Sequence, residues 1–389
     1  MMNILFVSPF DPRNPQCGGE QRTLLLWESL TRHGRVFSYI INGNFTPDGE
    51  MTEGEHPFFK FSPIRKKNSI GYKANCIPFY LTRIDLNIGR FIVCPNPNIV
   101  FNCAHFGIVV SRYVSPLFLY KFWDVAPVII DIDDHPIQVY NTRRGQHLSF
   151  PFRQLGRFLI KWKTSITIKK SIGGWVSNKE QVRMCGSNYH YLPNIPNQPS
   201  THYEENYADR KNLFTVGHLK HGPNREGIYR FLDLTWPTFH AKHPEVKYYI
   251  VGAGANEEDL TAWKSIEGVE YLGFIDDLEL LYQNILATVV PIYSGGGTCI
   301  KTLESMAFSR MCLSSKFGTR GLPEDVIADR KGVIIYETAD DFIDSYEKLL
   351  DRDYRERKEK LGREVINEQY SKIVFHKSVD KLISTIHSE

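Results

Sequence analysis

Apolar residues recur along this chain with two periods, and the switches between them mark its elements. Short apolar runs bounded by Gly, Pro or Asn predict buried strands at Asn3 to Ser8, Val36 to Ile41, Ile99 to Cys103, Pro127 to Asp131 and Gly174 to Ser177. The same pattern returns at Leu213 to Gly217, Lys247 to Val251, Val269 to Leu272 and Ile285 to Val290. Between these runs apolar residues return every three or four positions. This predicts helices from about Glu20 to His33, Gly107 to Tyr120, Glu226 to Phe239 and Glu257 to Ser265, with another from Asp277. Strands alternating with helices predict an α/β protein built on parallel sheets. From residue 43 to 98 the pattern is poor, and a helix near Pro78 to Phe91 is the one element it places.

One helical segment is unusually basic. Residues 152 to 183 hold eight Lys or Arg with Glu180 the sole acid, and Phe152, Leu155, Phe158, Leu159, Trp162 and Ile166 repeat at helical spacing. Two readings stand. The stripe can pack on a sheet, leaving Arg153, Arg157 and Lys161 on a solvated outer face, or the helix can lie on an anionic membrane surface. Continuation of the segment into the strand at Gly174 favours the packed helix.

At 389 residues the chain exceeds the size at which one core keeps growing, so two domains are expected. Tyr191 to Pro199, with three prolines, and the polar stretch Ser200 to Lys211 mark the linker, which divides the chain into residues 1–197 and 198–374. Composition, 42% hydrophobic and 23% charged, is that of an ordinary globular protein. No apolar run reaches the roughly 18 residues a membrane span needs. The opening residues read as a first strand rather than a signal peptide. The seven cysteines (Cys17, Cys76, Cys94, Cys103, Cys185, Cys299, Cys312) form no C-x-x-C pair, so a reduced, cytoplasmic protein without structural zinc is expected. The net charge of +3 hides an asymmetry: residues 1–197 carry 23 Lys and Arg against 13 Asp and Glu, whereas residues 198–389 carry 24 against 31. The N-terminal half is the one expected to meet an anionic partner.

The chemistry is concentrated where strand 285–290 runs through Pro291-Ile-Tyr-Ser-Gly-Gly-Gly-Thr298 into a helix. Gly295, Gly296 and Gly297 permit close backbone approach, and the helix beginning near Thr298 directs free N–H groups and its positive dipole end toward an anion such as phosphate. Lys301 and Glu304 share a helical face, so Lys301 can meet a phosphate oxygen and Glu304 a ribose diol. The plainer reading is a tight turn followed by an exposed ion pair. In the N-terminal half, Gly18-Gly19 stands at the carboxyl end of the first strand, a position that binds ligands in open parallel sheets but also suits a simple turn. Asp131-Ile-Asp-Asp-His135 ends another strand. It can bind a divalent metal, present Asp133 or His135 to a sugar hydroxyl, or merely cap a helix and meet solvent.

In their order and spacing these motifs resemble the retaining glycosyltransferases of the GT-B fold, glycosyltransferase family 4 (group 1). The resemblance spans nearly the whole chain. It is carried by Gly18-Gly19, Asp131 to Asp134, Val216-Gly217 with Pro223-Asn224, Val251 to Gly254, Leu272 to Phe274, Gly295 to Ala307, and Gly318 with Gly321. It implies two Rossmann-like domains facing across a cleft, with a final helix, residues 375–389, crossing back to the first. It also implies a nucleotide-diphosphate sugar donor with no cofactor or metal and no nucleic-acid partner. The base would lie near Gly273, Phe274 and Ile275, the ribose on Glu304, and the diphosphate against Gly296, Gly297, Thr298 and Lys301, with Gly18, Gly19, Gly217 and Lys220 around it. Asp133 and His135 would be catalytic with Lys301. The acceptor would be a glycan or lipid-linked sugar, with peripheral contact to an anionic membrane. Two departures stand out: Gly296 replaces the first acid of the family's paired-glutamate motif, and the loop after Gly217 offers His218 and Lys220 where the family has an Arg. Nucleotide-sugar 2-epimerases share the architecture, and a nucleotide-binding module without activity is a third reading.

Overall fold

A computed structural model of the chain describes residues 2–13, 15, 18–42, 49–62, 64–65, 92–93, 95–133, 135–141, 149–200, 210–295 and 298–387. It divides into two compact units, one of Met1–Pro193 with Lys372–Glu389 and one of Asn194–Ser371. The division after Pro193 falls within the proline-rich stretch.

Ten strands of the first unit are described: β1 Met2–Ser8, β2 Gly34–Ile41, β3 Glu50–Thr52, β4 Phe58–Phe61, β5 Ile64–Arg65, β6 Ile92–Val93, β7 Ile108–Arg112, β8 Val128–Ile132, β9 Gly173–Val176 and β10 Tyr189–Tyr191. Eight of them form one sheet in the order β10-β9-β8-β7-β1-β2-β4-β3, parallel except for β3, while β5 and β6 pair separately. Chain order reverses between β1 and β7, and ligands bind beyond the carboxyl ends of such a pair in open α/β sheets. Leu5, Val7, Val109, Val128 and Ile130 bury one face of these strands with Phe37, Tyr39 and Phe122. The last helix, Lys372–His387, packs on the first, Gly18–Thr31. Ser29 Oγ lies 2.7 Å from His376 Nδ1, and His33 Nε2 lies 2.8 Å from Asp380.

The second unit has β11 Leu213–Val216, β12 Tyr248–Val251, β13 Val269–Gly273, β14 Ala287–Val290, β15 Met311–Ser314 and β16 Val333–Ile335, all parallel in the order β13-β12-β11-β14-β15-β16. This is the doubly wound nucleotide-binding order, with its reversal between β11 and β14. Phe231, Trp236, Phe239, Tyr248, Phe342 and Tyr346 fill one side of the sheet, and Leu303, Met306, Cys312 and Ile366 the other.

Three expectations change. Ile99 to Cys103 is not a strand. Asn96 accepts from the Asn98 N–H and Pro97 takes the first turn, which starts the short helix Pro97–Val100 and leaves Ile99 79% exposed. The stretch from Gly107 is a strand, β7, before it is a helix, Val114–Tyr120, because Ile108-Val-Val is a β-branched run that completes the central sheet. The helix Phe150–Lys170 does form, but it buries Gly156, Ile160, Lys163, Thr164 and Thr167, while Phe152, Leu155, Phe158 and Trp162 face outward. The packed-stripe reading is therefore overturned. The proposed helix from Pro78 to Phe91 lies outside the described residues.

Helix Gly222–Leu234 reaches the end of β14 at Gly227, where an added Cβ would collide with the Pro291 carbonyl. That carbonyl begins the glycine loop, so this approach fixes the loop's origin. Gly227→Ala is expected to cost about 1–3 kcal/mol as overpacking, seen as a lower urea midpoint with unchanged m.

Candidate functional site

In the first unit, β7 and β8 end in Arg112 and Asp131, and the first helix contributes Arg22 from its second turn. All three side chains are buried. Arg22 Nη2 and Nε donate to Asp131 Oδ1 and Oδ2 at 2.7 and 3.0 Å, and Arg112 Nη1 donates to the same Oδ2. The remaining donors are also placed. Arg22 Nη1 reaches the Leu192 and Pro193 carbonyls at 3.0 and 3.2 Å, and Arg112 reaches Thr23 Oγ1 at 3.1 Å and the Gly19 carbonyl at 3.0 Å. Burial alone would raise the Asp131 pKa, but the charges of Arg22 and Arg112 outweigh it and hold the carboxyl below its ordinary range.

Asp133 stands at the rim of this cluster and is partly exposed. Its Oδ2 lies 3.4 Å from Arg112 Nη2 and 3.5 Å from the Tyr113 hydroxyl, and its Oδ1 lies 3.9 Å from Arg22 Nε. The Ser177 hydroxyl donates to its backbone carbonyl. His135 is buried and caps helix Pro136–Val139, its Nδ1 accepting from the Ile137 N–H at 3.3 Å. Burial pushes its pKa down to about 4, so the imidazole is neutral at neutral pH. The capping residue is thus His135 rather than an aspartate. Asp131 is neither solvated nor free for a metal, because its oxygens already receive three guanidinium donors. Among the described residues no group of three or more His, Cys, Asp or Glu could hold a metal ion. Gly18 and Gly19 form the first turn of the helix instead of a loop, with Gly19 against the Tyr113 hydroxyl. Asp134 lies outside the described residues.

In the second unit the ends of β11, β12 and β14 converge. Gly217 follows β11, and a Cβ there would stand 2.7 Å from Lys301 Cε and 2.8 Å from Asn224 Nδ2, while Gly252 at the end of β12 touches the Gly217 carbonyl. The absence of side chains at these two positions lets the Lys301 stem cross the end of β11. Lys220 is exposed and its stem packs on Gly254. After β14 the chain passes Gly295, at φ +136, and buried Thr298 before helix Ile300–Ala307. Among the described residues Cys299 makes no side-chain cap hydrogen bond at this helix start, whose dipole end is positive. Gly296 and Gly297 lie outside the described residues.

Glu304 is buried, not half of an exposed ion pair. Its Oε1 accepts from the Tyr282 hydroxyl and its Oε2 from Asn197 Nδ2, both at 3.1 Å. Burial raises its pKa against the opposing pull of Tyr282, Lys301 and Asn197. Each oxygen keeps lone-pair capacity for a further donor. Gly273, at φ +74, ends β13 and sets Phe274 outward at 69% exposure, while Ile275 packs toward Tyr282 and Phe308. Sequence reasoning missed Tyr282, Asn197 and Arg320. Arg320 stacks on Phe317, with a terminal nitrogen 3.2 Å from the Cβ position of Gly295, and so brings a second cation to the glycine loop from a segment beyond β15.

Residues 210–352 match the family described as "Glycosyl transferases group 1". No curated protein sequence matches the chain. Among solved structures, it is similar to the sucrose-phosphate synthase of Thermosynechococcus elongatus, at 13% identity and TM-score 0.69 over 100% of both chains. It is also similar to the Anabaena HepE protein solved with UDP, at 10% identity and TM-score 0.62 over 99% of this chain and 100% of that one. Similarity to S. aureus TarM, at 14% identity and TM-score 0.54, covers 71% of this chain and about half of TarM, 54%. The fold is that of the GT-B transferases, and the second unit carries the group 1 likeness.

Asp131→Asn leaves two buried guanidinium groups undercompensated and is expected to cost about 3–5 kcal/mol in chemical denaturation, whereas Asp133→Asn at the exposed rim stays within about 1 kcal/mol. The depressed His135 pKa means that the unfolded chain takes the proton first between pH 6.5 and 4. Stability should therefore fall as pH drops through that window, by about 3 kcal/mol in total, and His135→Asn, which keeps a capping acceptor, should flatten this part of the profile.

Proposed function

We propose that the protein is a retaining, metal-independent glycosyltransferase that moves a sugar from a nucleotide-diphosphate sugar to an acceptor hydroxyl. The observation that carries this reading is the convergence, at the β11/β14 reversal of the group 1-like unit, of Lys301, the start of helix Ile300–Ala307 and buried Glu304. The leaving diphosphate carries the developing negative charge. Lys301, Arg320 and the N–H groups at the helix start supply positive potential there before the reaction begins, so no reorganisation is needed as charge develops. Glu304, oriented by Tyr282 and Asn197, takes the ribose diol, and Phe274 offers a flat face to the base. The HepE structures hold UDP and UDP-glucose, which makes uridine diphosphate sugars the first donors to test.

In the first unit, Asp133 contacts the reacting sugar and orients it for attack on the face that the diphosphate leaves. Neutral His135 serves as a positioning residue, because its Nδ1 already holds the helix that follows. The basic charge of this half suits a glycan or lipid-linked acceptor at an anionic membrane face on the cytoplasmic side, as in cell-surface polysaccharide or glycoconjugate biosynthesis.

Thermal stability measured against a panel of nucleoside diphosphates and nucleotide sugars should rise with one base. Glu304→Gln should raise the stability of the unliganded protein, by relieving the buried charge, while abolishing that ligand-induced rise. Lys301→Ala is expected to lower acceptor-dependent release of nucleoside diphosphate about a hundredfold or more. Release of an isomerised sugar without acceptor would replace the transferase by an epimerase, and full transfer by Lys301→Ala would remove the phosphate role.

A further inference from the structure

Helix Phe150–Lys170 presents most of its large hydrophobic residues on a side that it does not bury. Phe150, Phe152, Leu155, Phe158 and Trp162 are between 47% and 67% exposed, whereas the packed side is made of Gly156, Ile160, Lys163, Thr164 and Thr167. At 3.6 residues per turn, Phe158, Trp162, Leu155, Leu159 and Phe152 fill one sector of about 120°. The small side is well seated. A Cβ on Gly156 would collide with the Tyr140 hydroxyl, that hydroxyl donates to the Arg153 carbonyl at 3.0 Å, and Lys163 Nζ donates to Ser115 Oγ at 3.0 Å. Rotating the helix to hide its aromatics would break all three fits.

A water-soluble helix does the reverse, hiding its aromatics and exposing its small and polar residues. Four large exposed apolar side chains on one sector, Phe152, Leu155, Phe158 and Trp162, make a patch of the kind that meets a partner. The charge says which partner. The helix contains no Asp or Glu, exposed Lys169 and Lys170 continue the apolar sector at its carboxyl end, and Lys161 lies nearest its flank, while Arg153 and Arg157 are on the far side. A protein partner would need a matching acidic rim around an apolar groove, whereas a bilayer bearing anionic lipids offers an apolar interior beneath a negative plane. Aromatic and leucine side chains beside basic ones are the composition that lies in the headgroup layer.

We propose that this outward face is an in-plane membrane anchor. Phe152, Leu155, Phe158 and Trp162 enter the boundary between headgroups and acyl chains of an anionic leaflet, and Lys161, Lys169 and Lys170 engage the lipid phosphates. Among the described residues no helix is long and apolar enough to cross a membrane, so the attachment lies on the surface and is reversible. Under the transferase reading, on which this extension rests, the same unit that carries Asp133 is held at the surface where a lipid-linked acceptor is displayed.

The test is sedimentation of the full chain with vesicles of phosphatidylcholine alone or with about a third phosphatidylglycerol. Binding should be at least roughly tenfold stronger to the anionic vesicles and weakened by salt. Phe152→Asp with Phe158→Asp should abolish it, and Lys169→Glu with Lys170→Glu should remove the preference for anionic lipid. Trp emission should shift to the blue on binding and be quenched by lipids brominated along their chains, and Trp162→Phe should remove most of that response. Unchanged thermal stability and nucleotide response in the double Asp variant would separate loss of docking from loss of fold and from failure of the donor site. Wild-type protein left in the supernatant, or the Asp variant sedimenting undiminished, would overturn the proposal. So would a dimer of the free protein that this variant converts to monomer without any lipid binding.

Discussion

The carboxyl edge of the first unit's sheet depends on one carboxylate, Asp131, shared by two buried guanidinium groups. Neither arginine can be buried without it, and it cannot be buried ionised without them, so the first helix, β7 and β8 form together or not at all. Arg22 adds the backbone carbonyls of Leu192 and Pro193, which ties the end of the unit to its first helix. Asp133 balances what remains. Two cations face one carboxylate in the interior, and the second carboxylate sits at the rim within reach of both. A side chain held there by fixed positive charge is presented in one orientation.

The second unit reaches a similar result by opposite means. Its site is made by removing side chains: Gly217 and Gly252 let strand ends touch, and the room gained is crossed by the Lys301 stem. Positive potential then comes from the start of helix Ile300–Ala307 and from Lys301 and Arg320, which approach from different segments. Glu304 is the exception, a carboxylate buried at the cost of desolvation and held by Tyr282 and Asn197. A group kept in a state that burial opposes is a common mark of a site where stability has yielded to function.

Four strands of the second unit, β11 to β14, were legible in the sequence as apolar runs, and each falls within two residues of where the pattern places it, whereas it places neither β15 nor β16. The same rule failed at Ile99, where an apolar triplet after Asn96-Pro97 is overridden by a helix cap. It failed again at Ile108, where a short strand merges into the helix that follows. In the candidate site, residues carried by local spacing, Lys301 and Glu304, could be named, although the burial of Glu304 could not. Residues whose role comes from long-range contact could not be found. Arg22 and Arg112 look like ordinary surface cations, and Tyr282, Asn197 and Arg320 reach their places only through the sheet order. One signal was available: Arg112 directly follows the buried run Ile108 to Ser111, and a cation ending a central parallel strand needs a buried anion nearby.

Helix Phe150–Lys170 shows why periodicity alone misleads. An apolar stripe reports that a face will leave water, not what it will leave water for, since a protein core and a lipid layer accept the same residues. The deciding information lies on the other side of the helix. Gly156, Thr164 and Thr167 permit backbone-close packing that the stripe of Phe, Leu and Trp could not achieve, so the small side is the one the fold takes. Once that side is seated on Tyr140 and Ser115, the aromatics have nowhere to go but outward, on a helix whose charges are all positive.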